Sequence, residues 1–450
     1  MVPAPYHQAA RGRGAPGRRP AAVLLAALAW AGLAFPVPAA ADRARLLLTA
    51  EEAAEARVEL VLRARERIDA ASFIVGGEPF SLTGLALLRD AARRGLAVRL
   101  LVDAQWNKMP PPVEAHLVEE GIEIRVYHPF RLDRPGWITR RLHDKLLVAD
   151  GEAMIAGGRN VESPYFDLGR QLGRRDYIDV DLLVRGDAAA EAAAYFDRLW
   201  ASRHVRASRA RATPAERSEA AALLDHHGEW LAARVRTALL GPVSWPPAPA
   251  EVGPVRFLHD PVGRKGEAPG VGHALLDLLD GARESAIIES PYLVPSRAFR
   301  RGLRRALERG VQVRILTNSV ATTDNLFPQA GYVGKRKGLV RRGVELWELT
   351  GSRTLHTKAA VIDGRTVIVG TFNLDPRSER LNTELALVLE DPEVARRLRE
   401  AMDANLASAV QIDRRGWPEG AKGPFPGVPC RKVVKLRLLQ LLAPLIKKQL

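Results

Sequence analysis

Two short stretches of this 450-residue chain carry the same reactive residues at the same spacing. Arg141–Gly151 reads RLHDKLLVADG and Thr354–Gly364 reads TLHTKAAVIDG, so both follow the pattern H-x-K-x4-D-G. His143, Lys145, Asp150 and Gly151 match His356, Lys358, Asp363 and Gly364 at a constant offset of 213, which continues into Gly157/Gly370 and Asn160/Asn373. One match of this length is weak. Two that stay in register through a glycine and an asparagine mark an internal duplication. Duplicated His, Lys and Asn suit an anionic tetrahedral centre: one imidazole attacks phosphorus and a second protonates the leaving oxygen. Two ammonium groups and two amides hold the non-bridging oxygens as charge redistributes in the transition state. The lysines supply the cations, so the pattern calls for no metal and no other cofactor, and no Asp/His grouping near it has metal-ligand spacing.

Lysine usage sharpens the motif. The chain has 56 Arg and 11 Lys; five of the lysines lie beyond residue 420, and two of the other six stand in the motif. A compact point charge is wanted there rather than a planar fork. The carboxylates are less determined. Asp150 and Asp363 complete the motif and count as catalytic candidates, although their place just before a glycine equally fits a turn or cap. Glu384, 28 residues after His356, is a candidate to orient that imidazole through its far ring nitrogen, or an ordinary strand-edge carboxylate. Asp179 and Asp181 share one face of an alternating strand, and either could orient His143. Tyr292, after a strand, lines the site or packs in the core. Gly157, Gly158 and Gly370 permit tight backbone approach. His226-His227 reads as surface, and Trp200, Trp230, Trp245 and Trp417 as packing or interfacial anchors.

The elements that must position these residues repeat as well. Leu88–Ala104 (LRDAARRGLAVRLLVDA) resembles Arg304–Ser319 (RRALERGVQVRILTNS), each a helix, a glycine stop and a buried strand. His and Lys two apart point to one face of an extended segment, and Leu146–Ala149 and Ala359–Ile362 read as buried strands. The fold class is therefore α/β, with two pseudo-symmetric lobes, each a mixed sheet flanked by helices, sharing one active site. Ala188–Trp200 and Ala215–Leu240 are Ala-rich helical stretches, and Pro242–Pro254 holds five prolines. The expected divisions are 1–41, a leader or anchor; 42–215, the first lobe; 216–254, a helical linker; 255–412, the second lobe; and 413–450, a tail.

Charge separates the ends from the middle. Residues 1–41 hold four basic groups and no acid, with an apolar run from Ala21 to Phe35 and Ala39-Ala40-Ala41 before Asp42. That is the pattern of an export signal or N-terminal anchor. Residues 420–450 hold seven basic groups and no acid, interleaved with Val and Leu, a composition suited to an anionic membrane surface or to docking on the core. What remains has 56 basic against 52 acidic residues, so the net charge of +15 does not spread over a binding face as in nucleic-acid proteins. Nucleic acid is thereby disfavoured as a partner. The lone Cys430 excludes a disulfide framework and a Cys-based zinc site.

The paired motif with its downstream Gly and Asn resembles the phospholipase D superfamily. GGRNVESPYF (Gly157–Phe166), SPYLVP (Ser290–Pro295) and GTFNLDPRSERLNTE (Gly370–Glu384) are similar to its bacterial cardiolipin synthase branch, over roughly residues 58–406. The resemblance implies layered α/β/α/β/α lobes around one site. His143 is then the nucleophile and His356 the general acid and base, supported by Glu384. Lys145, Lys358, Asn160 and Asn373, with Thr371 beside them, bind phosphate without a metal. Ala71-Ser72-Phe73-Ile74-Val75 departs from the family's aromatic pair and Trp, and Gly157-Gly158-Arg159 lacks the hydroxyl that Thr371 supplies in the second lobe; both bear on lipid recognition rather than phosphodiester chemistry. The expected activity is phosphatidyl transfer making cardiolipin from phosphatidylglycerol, on phospholipid substrates at the periplasmic side of a bacterial inner membrane. Hydrolytic phospholipase D, a superfamily phosphodiesterase or nuclease, and a non-catalytic scaffold are the rivals.

Overall fold

The computed structural model describes residues 41–129, 139–240, 249–262 and 270–442. The expected leader apart from Ala41, Trp245, most of the proline-rich stretch, and Lys447 and Lys448 lie outside the described residues. The first lobe runs β1 (Arg43–Leu47), α1 (Ala50–Arg63), β2 (Arg67–Ser72), α2 (Pro79–Arg93), β3 (Ala97–Asp103), α3 (Pro111–Glu119) and β4 (Glu123–Tyr127). It continues through β5 (Lys145–Ala149), β6 (Ala153–Gly157), β7 (Tyr177–Ile178), β8 (Asp181–Arg185), α4 (Asp187–Trp200), β9 (Val205–Ala207), α5 (Pro214–Leu240) and β10 (Ala250–Glu251). The second lobe has β11 (Arg256–His259), α6 (Val271–Gly281), β12 (Ser285–Glu289), α7 (Arg297–Glu308), β13 (Gln312–Asn318), α8 (Leu326–Arg341) and β14 (Glu345–Leu349). Then come β15 (Thr354–Leu355), β16 (Ala359–Ile362), β17 (Thr366–Gly370), α9 (Pro376–Arg380), β18 (Leu385–Glu390), α10 (Pro392–Leu406), β19 (Ala409–Gln411) and α11 (Cys430–Leu442).

The duplication shows in sheet order. The first sheet runs β10-β1-β8-β6-β5-β2-β3-β4-β9 and the second β11-β18-β17-β16-β12-β13-β14-β19, so the two match strand for strand apart from β10. In each, three parallel strands joined by helical crossovers meet an antiparallel meander that carries the motif. Alternation along the motif strands sends Leu146 and Val148, like Ala359 and Val361, into a shared core between the sheets, with α4 and α10. Leu147 and Ala149 face outward onto α1 and α2, and Ala360 and Ile362 onto α6 and α7. Ala188, Ala189, Ala192 and Ala193 give α4 a thin buried face, which Tyr195, Phe196, Leu199 and Trp200 continue with larger side chains. The resulting order of layers is helix, sheet, helix, sheet, helix.

Two expectations need adjusting. The stretch read as a helical linker begins with α5, which packs on α2 and α3 of the first lobe, and it ends in β10 on the edge of the first sheet. Asp150 and Asp363 are not catalytic. Each has positive φ, +55° and +51°, and ends its strand far from the motif's His and Lys. Asp150 accepts backbone N–H bonds from Arg65, Glu66 and Arg67, and Asp363 from Arg283, Glu284 and Ser285. Burial alone pushes these carboxyl groups up, but the backbone donors hold both below the usual carboxylate range. They tie the turn after β5 or β16 to the start of β2 or β12, which sets strand register around the site.

Asp363→Ala removes the acceptor of these N–H groups and leaves alanine at positive φ, so it should cost about 2–4 kcal/mol of stability. Turnover per folded molecule should persist, because Asp363 lies roughly 20 Å along the strand from His356. Thermal melting alongside active-site titration checks this; a stable but inactive variant would return the aspartate to the chemistry.

Candidate active site

Each motif histidine sits where its own lobe reaches across to the other. Leu142 forms a parallel bridge with Thr383, and Thr354–Leu355 pairs in parallel with Tyr177–Ile178. The His143 backbone N–H donates to Thr383 Oγ1 at 3.1 Å, and that of His356 to the Ile178 carbonyl at 2.7 Å. The two crossings are pseudo-symmetric, and each delivers a histidine beside a carboxylate of the opposite lobe. His143 Nδ1 lies 2.9 Å from Glu384 Oε2, and His356 Nδ1 lies 2.6 Å from Asp179 Oδ2.

This overturns the expected carboxylate pairing. Glu384 orients His143 rather than His356, and Asp179 orients His356 rather than His143. Asp181 orients neither: it is buried in ion pairs with Arg57 at 2.8 Å and Arg159 at 3.3 Å. Register explains the exchange. Gly157 pairs with Asp181 and Gly370 with Ala386, so Asp179 and Glu384, each two residues earlier, are equivalent positions in the duplicate. Beyond the sheet edge both strands continue into the partner lobe. The glycines make this possible: a Cβ on Gly158 would come within 2.0 Å of Asp179 Oδ1, and one on Gly370 within 2.4 Å of the Leu385 carbonyl.

With Nδ1–H donated to carboxylate, each imidazole keeps its Nε2 for chemistry. Tyr165 Oη stands 3.4 Å from His356 Nε2, and Phe73 meets the His143 ring edge-on at 5.0 Å between centroids. Lys145 Nζ donates to the His143 carbonyl at 2.8 Å, and Lys358 Nζ donates to the His356 carbonyl. All four groups are buried. Burial, with the neighbouring Lys145 and Lys358, pushes His143 well below its ordinary value; burial and Lys358 also lower His356, against Asp179. Burial and the other lysine bring Lys145 down to about 7, and burial brings Lys358 to about 8 despite Asp179. These are the properties of a cationic pocket waiting for an anion.

Asn160 and Asn373 are buried, and the side-chain carbonyl oxygen of each lacks a hydrogen-bond partner. Nδ2 of Asn160 lies 2.8 Å from Tyr165 Oη. Turned over, the amide accepts from that hydroxyl and frees its N–H groups for a phosphate oxygen. Thr371 does not face the substrate as expected: its hydroxyl donates to Glu384 Oε2 at 2.5 Å and accepts from the Leu385 N–H at 3.0 Å. Asn382 Nδ2, 3.2 Å from Glu384 Oε1, completes the support of that carboxylate. Tyr165 and Asn382 escaped the sequence reading, although they lie within the GGRNVESPYF and LNTE runs, and Phe73 entered it only as part of a departure from the family pattern. Tyr292 sits at the rim, donating to Asp324 at 2.9 Å as Tyr177 does at 3.1 Å. Among the described residues no cluster of three or more His, Cys, Asp or Glu could hold a metal ion.

Comparison with known proteins identifies the family of the chain. The family described as cardiolipin synthase, PLD-like domain, matches residues 58–200 and 275–406. Cardiolipin synthase C of Escherichia coli (strain K12) is 32% identical over 413 residues, covering 81% of this chain and 85% of that protein. A cardiolipin synthase of Oceanobacillus iheyensis is 24% identical, covering 82% and 70%. In three dimensions the chain is similar to phosphatidylserine synthase of Haemophilus influenzae Rd KW20, with a TM-score of 0.65 at 17% identity over 91% of this chain and 95% of that one.

The lysines set the alkaline limb. Free enzyme holds both ammonium groups only below about 7 for Lys145 and about 8 for Lys358. A phosphodiester anion needs them charged, so kcat/KM should fall as pH rises through this range. A bound anion favours the ammonium form, so kcat should hold to higher pH. Both histidines lie below their ordinary value in the free enzyme. His143 must be neutral to attack, whereas His356 must carry a proton on Nε2 to act as acid, and Asp179 together with a bound anion favours that proton. A pH profile with kcat/KM flat to pH 10 would contradict the assignment.

Proposed function

Because the chain belongs to the phospholipase D-like family of cardiolipin synthases, we propose that it is a phosphatidyltransferase that makes cardiolipin from two molecules of phosphatidylglycerol. The observation that carries this reading is the convergence of two carboxylate-held histidines, two buried lysines and two buried asparagines from both lobes. Neutral His143 attacks phosphorus through Nε2, and the bond from phosphorus to the glycerol head-group oxygen breaks as His356, protonated on Nε2 in the complex with the anionic substrate, gives that oxygen its proton. The phosphatidyl group then sits on His143. The hydroxyl of a second phosphatidylglycerol loses its proton to His356 and attacks, and the phosphorus–nitrogen bond breaks. The products are cardiolipin and glycerol. Lys145, Lys358, Asn160 and Asn373 hold the phosphoryl oxygens through both steps.

The same reading places the enzyme on an anionic membrane surface, exported to the periplasmic side. Support for the surface comes from α11, where buried Leu436 packs against α8 and leaves Val434, Leu438 and Leu441 exposed at 55–75% beside Arg431, Lys435 and Arg437. Lys432 anchors this helix to the carbonyls of Ala321 and Thr323, in the loop that carries Asp324 of the site rim. Exposed Trp106, its ring tilted against Phe73 at 5.5 Å between centroids, and exposed Phe327, three residues after Asp324, extend the apolar rim. Among the described residues no helix is long and apolar enough to cross a membrane.

Two experiments test these statements. With phosphatidylglycerol carrying labelled phosphorus, quench of His356→Ala in detergent at alkaline pH, where a phosphorus–nitrogen bond survives, should leave label on the protein, and His143→Ala should leave none. Label on His356 instead would reverse the roles. Cardiolipin and glycerol are the expected products of the wild type; phosphatidic acid alone would make water the acceptor. Replacing Val434, Leu438 and Leu441 together by Asp should weaken sedimentation with phosphatidylglycerol vesicles about tenfold or more, and undiminished binding would remove α11 from the surface.

A further inference from the structure

The two lobes are near copies around the paired histidines and lysines, yet their outer layers differ. In lobe 1 a cavity of about 1230 Å³ opens between the sheet and helices α1, α2 and α5. Lys145 and Ser72 line it at the active-site end, Val58, Leu88 and Phe166 line its length, and Trp230 of α5 lies along its far side. The matching space beneath Lys358 in lobe 2 is about 60 Å³. There Phe299 of α7 and Phe372 fill it, their ring centroids 5.8 Å apart.

Lobe 1 lacks both fillers. Phe372 corresponds to Arg159 by the motif offset of 213. The guanidinium of Arg159 turns to the carbonyls of Leu47 and Leu48 at 3.0 and 3.2 Å and to Asp181. Phe299 stands eleven residues before Gly310, and Gly84 stands eleven residues before Gly95; these two glycines end the equivalent helices at φ of +87° and +94°. Gly84 lies inside α2, where glycine weakens a helix. A Cβ there would meet nothing closer than Val161 Cγ1 at 3.9 Å. The position has room for a side chain, and the chain leaves it empty.

From this difference we infer that the lobe 1 cavity receives the acyl chains of the donor phospholipid whose phosphate Lys145 holds. The inference rests on the phospholipid reading above and specifies how that substrate is seated. Lys145 lines the cavity while its ammonium donates to the His143 carbonyl at 2.8 Å, so one residue joins the hydrocarbon space to the catalytic centre where the head group would sit. The volume exceeds the roughly 300–1,000 Å³ of sites that enclose small molecules. The arginines in the wall are spoken for: Arg57 and Arg159 both pair with Asp181. Lobe 2, filled by its two phenylalanines, offers no second chamber of this kind beneath Lys358.

The test restores the filler on the full chain. In Gly84→Phe, and to a smaller degree in Gly84→Leu, the preference for dioleoyl- over dibutyroyl-phosphatidylglycerol, as a ratio of kcat/KM for head-group release, should fall tenfold or more. An unchanged ratio in a folded variant would overturn the inference. Should Gly84→Phe fail to fold, His143→Ala is photolabelled with phosphatidylglycerol bearing a diazirine near the chain end, and α1, α2 or α5 peptides should carry the label. Label confined to other elements, or residues 21–35 found crosslinked into the cavity in place of lipid, would overturn it equally. Head-group release is read apart from cardiolipin formation. Chain-length selectivity without cardiolipin would sink the transferase reading alone, and cardiolipin formation without selectivity would sink the cavity alone.

Discussion

Two buried carboxylate–imidazole hydrogen bonds that cross between the lobes, Glu384 to His143 and Asp179 to His356, are the constraint on which this structure turns. A buried carboxylate without a partner is costly, and so is an imidazole held in the wrong tautomer. Each lobe alone would leave one of each. The lobes therefore complete each other chemically as well as through the apolar layer between their sheets. Much of the detail follows. Gly158 and Gly370 are small so that the carboxylate strands can pass close, Thr371 and Asn382 brace Glu384, and Asp150 and Asp363 fix the far ends of the motif strands.

Concentrating two lysines and two histidines out of water has a second consequence. The cations depress one another and the imidazoles, so the unliganded site carries less charge than its residue types suggest. An arriving phosphodiester supplies the missing negative charge and favours the ammonium forms. Donors already positioned when the transition state forms need no reorganisation, which is where such electrostatic stabilisation gains its strength. Asymmetry enters outside this centre. The same framework is packed solid beneath one lysine and open beneath the other, so one duplicated scaffold serves two unlike tasks.

The chemistry was legible because it is written twice. His143, Lys145, Asn160 and their counterparts stand at a fixed offset, and repetition separates them from incidental histidines and lysines. The strands and crossover helices were legible for the same reason, with periodicity and glycine stops repeating around them. Asp150 and Asp363 show how far a motif reaches: the pattern includes them, but only backbone geometry reveals that they hold turns. Tyr165 and Phe73 had no counterpart at the same offset to draw attention to them.

The sequence by itself determined the reactive set, the α/β class and the two-lobe duplication, since these depend on residue type and local spacing. Which carboxylate serves which histidine was decided only by the tertiary structure. A short parallel crossing carries each motif strand into the other lobe, so partners 241 and 177 residues apart meet while the carboxylate of the same lobe does not. The cavity beside Lys145 is likewise a tertiary fact. Gly84 looks unremarkable along the chain and Arg159 only a departure from the repeat, and they acquire meaning when the folded lobes place them where Phe299 and Phe372 stand in the duplicate. Spacing along a chain specifies neighbours on one element; contacts across a pseudo-symmetric interface depend on how two sheets close against each other.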